Sequence, residues 1–414
     1  MRILLIPVGS AGDVHPYVSV GLALQRRGHD VRVITSPYFA SLLDRVGLPL
    51  IPLGTVDDFR TLFNDPLLWN PFHGINVIGQ ALARSTTELY QLIKNETAQA
   101  QTVLIAPGMA FAARIAHETL GVPLVTMHLQ PTCFMSQYET PVLHPWLATI
   151  NHWPATFKRQ ILRATGWVSD RALSPGANTL RQTLGLPPVR HIVRDWWHSP
   201  ARVIGLFPDW YAPPQPDWPR NTTLTGFPLY DEQGVSTIEP DLKKFLSEST
   251  EPPIVFTPGS ANTQAANFFT AAVDACRQLN HRGLLLTRFP DQIPDSLPIG
   301  IHHSTYAPLS EILPHAAALV HHGGIGTAAQ ALRAACPQLI MPMTFDQPDN
   351  ADRLYRLRVG RLLSPSSFTG PRVAKELEIL LGSENVSQAC HTLAQRFVDC
   401  DPIGDTCSAI ESMD

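Results

Sequence analysis

Long apolar runs are missing from this chain. No stretch approaches 18 consecutive apolar residues, so nothing in it reads as a membrane span. The amino terminus holds one Arg and a short apolar run that turns polar at Gly9-Ser10. That is too brief for a signal peptide and suits a first buried strand. The six cysteines (133, 276, 336, 390, 400 and 407) form no CxxC pair and fit the reduced thiols of a cytoplasmic protein. An excess of one charge is lacking as well. The 31 Lys plus Arg stand against 35 Asp plus Glu, a formal net of −4, which leaves no basic field for nucleic acid.

Several nucleotide motifs are absent too. There is no GxxxxGK[ST], which excludes a Walker-type ATPase. The first βα turn, Gly9 to Asp13, lacks GxGxxG, and the second strand closes on Thr35-Ser36 without an acidic ribose ligand. A nicotinamide dehydrogenase is therefore poorly supported. No histidine cluster is spaced for a divalent cation, so neither a metal nor a resident cofactor is expected.

What is present is alternation. At 414 residues the chain is too long for one core, and two domains of about 200 residues each are expected. Strand patterns fall at 2–8, 30–35, 49–53, 102–106, 123–128, 201–207 and 222–227, with helical patterns at 16–27, 37–46 and 108–120. Residues 129–200 are irregular, rich in Trp, His and Pro, and hold two helical stretches. A polar segment between Pro228 and Pro253 reads as a linker. Alternation then restarts, with strands at 254–257, 283–287, 317–321 and 338–342, helices at 264–279 and 326–335, and terminal helices from Val373. The pattern predicts an α/β protein of two Rossmann-like, doubly wound parallel-sheet domains facing a cleft. They span 1–228 and 254–395, around a 229–253 linker.

The strongest local signal is the turn His321-His322-Gly323-Gly324-Ile325-Gly326-Thr327, which leaves a buried strand and opens a helix. Glycines there let backbone amides approach a ligand, and the helix N-terminus favours an anion such as a diphosphate. A packed His beside a plain glycine turn is the alternative. After the next strand come Asp346 and Gln347, a carboxylate and an amide suited to vicinal sugar hydroxyls; Asp346 also fits as a helix cap. In the first loop Asp13 fits as a helix N-terminal capping residue, with Pro16 in the first turn.

The segment His321–Thr327, with Pro337-Gln338, Pro342, Asp346-Gln347 and Asn350-Ala351, resembles the donor signature of glycosyltransferase family 1. The first loop, Gly9 to Pro16, is similar to that of the bacterial and sterol-glucosylating branches. Asp65-Pro66, Trp69, Pro71, His198-Ser199-Pro200, Leu206-Phe207-Pro208, Ala212 to Gln215, Asp217-Trp218-Pro219 and Thr225 to Leu229 resemble a bacterial branch, that of the rhamnosyltransferase subunit of rhamnolipid synthesis. The resemblance covers essentially the whole chain. It implies the GT-B fold, with the last helix (396–414) returning to the first domain, and a nucleotide diphosphate sugar as co-substrate.

Carried over position by position, it implies that His321, the amides of Gly323, Gly324, Ile325 and Gly326, the Thr327 hydroxyl and Ser260 meet the diphosphate. Tyr306 and Ala307 would pack on the base, and Asp346 and Gln347 would hold the sugar. Asp13 would take the acceptor's proton as general base, with His15, two residues on, as its competitor. Where plant members carry a ribose-binding Glu, this chain has Ala329.

The expected reaction is inverting, metal-independent transfer of a hexosyl or deoxyhexosyl group. The donor would be of the dTDP-L-rhamnose or UDP-glucose class, and the acceptor a lipophilic hydroxyl compound such as a hydroxy fatty acid. Glycosylation of a flavonoid, polyketide or sterol aglycone is the first alternative; an epimerase of the same fold and a non-catalytic binding subunit are the others. Trp69, Phe72, Phe134 and Tyr138 are the expected acceptor-lining residues, within segments that also hold Trp146. The basic amphipathic stretch 157–167 reads either as a peripheral membrane contact or as a solvated surface helix.

Overall fold

The computed structural model describes residues 1–144, 147–232, 235 and 238–413. Among the described residues the strands are Arg2–Leu5 (β1), Asp30–Thr35 (β2), Leu50–Pro52 (β3), Thr102–Ala106 (β4), Leu124–His128 (β5), Arg202–Gly205 (β6), Thr222–Leu224 (β7), Ile254–Thr257 (β8), Gly283–Leu286 (β9), Ile301–Ser304 (β10), Ala318–His321 (β11), Gln338–Ile340 (β12) and Gly360–Leu362 (β13). Their short Val/Ile/Leu-rich runs are what a parallel sheet covered on both faces requires. They form two sheets, ordered β3-β2-β1-β4-β5-β6-β7 and β10-β9-β8-β11-β12-β13, with every pairing parallel.

The described residues divide into two compact units. One takes 1–142, 147–228 and 401–413; the other takes 143–144 and 229–400. In the first, helix Pro402–Glu411 packs beside helix Ala11–Arg26. Arg27 and His29 both reach Glu411, at 2.6 and 2.9 Å, and Thr225 and Thr406 share a buried 2.7 Å hydroxyl bond.

Two regions differ from expectation. Residues 74–97, which the pattern left without an element, form the 24-residue helix Gly74–Thr97, and 129–200 holds one 29-residue helix, Ala155–Thr183, rather than two. These two helices touch at glycines. A β-carbon on Gly79 would sit 2.1 Å from the Ala172 carbonyl, and one on Gly176 would sit 2.5 Å from the Ala83 Cα. A contact made through backbone leaves only a weak apolar stripe to read. Strands β10 and β13 were also absent from the expectation; both are sheet edges, of four and three residues.

Candidate active site

In the first unit the chain leaves β1 through a turn that ends on helix Ala11–Arg26. Ser10 is the N-cap and Asp13, three residues on, reaches back, the reciprocal pattern of a capping box. The Ser10 amide donates to Asp13 Oδ2 at 2.7 Å and the Ser10 hydroxyl to the same oxygen at 3.0 Å. Gly9 permits this: at φ 132° it bears no β-carbon, and one placed there would stand 2.3 Å from Oδ2. Burial raises the Asp13 pKa, and the two Ser10 donors pull it partly back. The carboxylate is thus anchored by one oxygen and made more basic than an exposed aspartate. His15 is half-buried on the same helix, but two residues is about 200° of turn, so the two side chains leave on opposite faces.

In the second unit three neighbouring strand ends carry the residues predicted to meet the diphosphate and the sugar. β11 lies between β8 and β12, with His321 in register with Thr257 and Ile340. After β8 come Gly259, at φ 96°, and the exposed Ser260; after β11 comes the glycine turn. The helix Ile325–Arg333 begins with Gly324 as N-cap and has no capping side chain. Its first turn therefore presents the Ile325, Gly326 and Thr327 amides, the donors a helix start leaves over.

The two histidines do different things. His321 is fully buried; it accepts the Gly323 amide at Nδ1 (3.1 Å), so its proton is on Nε2 and goes to Gln338 Oε1 (3.0 Å). Burial pushes its pKa down to about 3, with His322 beside it adding to the effect. Direct contact of His321 with a diphosphate is thereby corrected: both ring nitrogens are engaged, and the neutral ring props the turn from beneath. The His322 ring lies between the glycines, where β-carbons on Gly259 and Gly324 would come within 2.8 and 2.5 Å of it. Burial lowers its pKa to about 4, so it too is neutral.

After β12 the loop runs to helix Gln347–Arg356, with Asp346 as its N-cap residue. Phe345 sits at φ 60°, a left-handed conformation that costs a side chain energy and marks a loop over-determined by its surroundings. The Gln347 amide oxygen accepts from the Met343 and Thr344 amides, at 2.9 and 3.3 Å, which commits it to the loop. Only its NH₂ end remains to meet a ligand.

Tyr306, after edge strand β10, donates its hydroxyl to the Asp231 carbonyl at 2.7 Å, while the Arg288 guanidinium lies 4.9 Å over its ring. Ala307 is core. Among the described residues no group of three or more His, Cys, Asp or Glu side chains is placed to hold a metal ion.

The expected acceptor residues are scattered by environment. Phe72 and Tyr138 are exposed and Trp69 is half-buried. Phe134 is a correction: it is only 1% exposed, stacked on Trp218 at 4.5 Å and on His198 at 5.6 Å, and offers nothing to a ligand. Trp146 lies outside the described residues. Sequence reasoning gave no role to Ser10 or Arg288, and quoted Asn350 as part of the donor signature without one. Ser10 was legible, since a Ser three residues before an acid at a helix start is a capping signature; Arg288 acts through a contact across strand ends that no local pattern announces.

Two parallel-sheet units, one of them with an uncapped glycine turn beside a carboxylate-bearing loop, define the GT-B class of sugar transferases. Residues 3–138 match the glycosyltransferase family 28 N-terminal domain, and residues 287–403 match the erythromycin biosynthesis protein CIII-like C-terminal domain. The O-mycaminosyltylonolide 6-deoxyallosyltransferase of Streptomyces fradiae is 29% identical over 395 residues, 86% of this chain and 84% of that protein. The vancomycin aglycone glucosyltransferase of Amycolatopsis orientalis is 29% identical over 369 residues, 87% of this chain and 85% of that protein. Among solved structures, the spinosyn rhamnosyltransferase SpnG complexed with thymidine diphosphate aligns over 100% of both chains at a TM-score of 0.69 and 19% identity. The chain is a glycosyltransferase with the GT-B fold. It is a transferase, which sets aside the epimerase and the non-catalytic binding subunit.

Proposed function

We propose that this transferase moves a hexosyl or 6-deoxyhexosyl group, with inversion and without a metal, from a nucleoside diphosphate sugar to a hydroxyl of a lipophilic acceptor. The observation that carries the donor half is the uncapped helix start at Gly324. Its free amides, flanked by Ser260 and His322, match the needs of a diphosphate whose charge grows as the glycosidic bond breaks. Asp346 and the NH₂ of Gln347 hold the sugar hydroxyls.

Asp13 takes the proton of the acceptor hydroxyl; the oxygen attacks the anomeric carbon, and the electron pair of the broken bond leaves on the diphosphate. Its raised pKa supports this role, because a base works best when its pKa approaches the operating pH.

For the acceptor, the branch resemblance favours a hydroxy fatty acid. The activities that the relatives' names give, on tylonolide, vancomycin and spinosyn frameworks, favour a natural-product aglycone. A screen decides. It pairs dTDP-rhamnose and UDP-glucose with a hydroxyalkanoyloxy-alkanoate, a flavonol and a macrolide aglycone, read by mass spectrometry with and without EDTA. A deoxyhexose gained by the lipid establishes the first reading, and a hexose or deoxyhexose on an aglycone the second. No product from any pair, or turnover that EDTA abolishes and magnesium restores, contradicts the reading.

A further inference from the structure

The glycine turn and the loop ending at Gln347 are physically one piece. Gly323, at φ 95°, packs so closely that a β-carbon would stand 3.1 Å from the Gln347 carbonyl and 3.0 Å from Ile340. One side chain then bridges the two segments. Asn350 is fully buried on helix Gln347–Arg356, and its NH₂ donates to the Gly323 carbonyl at 2.9 Å and to Asp346 Oδ2 at 2.7 Å. Both partners are acceptors, so the placement of nitrogen and oxygen in this amide follows from them. The helix itself is anchored by the buried Asp349–Arg353 pair at 2.7 Å. One amide thus spans the backbone of the turn and the carboxylate of the sugar loop.

We propose that Asn350 is a positioning residue that fixes the spacing between the diphosphate and the sugar of the donor. The inference rests on reading the glycine turn as the diphosphate site and Asp346 as a sugar ligand. Of these two segments a nucleoside diphosphate touches only the turn, whereas an intact nucleotide sugar engages both. Loss of the bridge therefore weakens the intact donor and spares the bare nucleotide. The bond to Asp346 is charge-assisted, the stronger kind, and also holds the carboxylate in one rotamer.

The test is calorimetric binding of UDP, dTDP, UDP-glucose and dTDP-rhamnose to the full chain. It covers the wild type, Asn350→Ala, Asn350→Asp, Asp346→Ala and the double variant Asp346→Ala/Asn350→Ala. Asn350→Ala is expected to weaken the cognate nucleotide sugar about 10- to 100-fold, and the nucleoside diphosphate by no more than about twofold, the scatter of independent sites. Within Asp346→Ala, removing Asn350 adds no further selective loss. Asn350→Asp keeps the side-chain volume but lacks the donors, and shows the same selectivity if the alanine variant fails to fold. Equal loss for both ligands, no loss for either, or a full selective loss without Asp346 overturns the proposal. A wild type that binds nucleoside diphosphate but no nucleotide sugar overturns the sugar-site reading, and this proposal with it.

Discussion

The protein uses the same device twice, a glycine-bearing turn from a parallel strand into a helix, and finishes it in opposite ways. After β1 the helix start is filled from within: Ser10 caps it, and the Asp13 carboxylate lies against the Ser10 amide. After β11 the helix start is left open, with Gly324 in the capping position and a neutral, buried His321 bracing the turn below. An anion already occupies the first site, so it has no room for a phosphate and instead holds a basic carboxylate. The second holds no charge of its own and is ready for one. On the proposed reading, what stands at the cap separates a site for moving protons from a site for binding a leaving group.

That contrast can be broken most sharply at Asp13. Asp13→Asn keeps the shape of the turn and removes the base, so kcat should fall about 10²–10⁴-fold while donor affinity stays put. A variant that loses donor binding equally would show that the first turn holds donor after all. At the second turn, Gly324→Ala sets a methyl where the His322 ring now lies 2.5 Å away. The donor KM should rise about 10- to 100-fold, with kcat at saturation much less affected; an unchanged KM would remove the turn from the donor site.

The third comparison is a pH profile. Since burial raises the Asp13 pKa, the acid limb of kcat/KM should lie above the ordinary carboxylate value of about 4. Ser10→Ala removes a donor that favours the ionised form, so that limb should move to still higher pH. A limb that moves down, or does not move, excludes Asp13 as the titrating base.

The smallest effect is a control that touches neither turn. Glu411→Ala should cost about 1 kcal/mol or less, read as a slightly lower Tm, with kcat and KM unchanged. The His29 bond, followed by Arg27, lowers the Glu411 pKa, so this contribution is present above the usual carboxylate range and fades as pH falls through it.

Much of this was legible in the residues. The alternating runs announced two parallel sheets, and the glycines, Asp13 and Asp346 lie at strand ends or helix starts, where local pattern is informative. The rest depended on contacts remote in sequence. The pairing of helices Gly74–Thr97 and Ala155–Thr183 runs through glycines, which carry no hydrophobic signal. Phe134 looked like a ligand-facing aromatic because nothing local shows that Trp218 and His198 cover it. His321 carried a phosphate-binding expectation, yet its neighbour on the next strand, Gln338, takes its proton. Asn350 sits one helical turn from Asp346, a spacing that permits the bond, but only the fold brings Gly323 to its other side.

The proposed mechanism is a single direct displacement, driven by one base and one open helix start. It is tested most directly by the anomeric configuration of the freshly formed product, read by proton NMR against the configuration of the donor. A direct displacement gives inversion. Retention would require a covalent or otherwise two-step route that neither turn provides, and would contradict it.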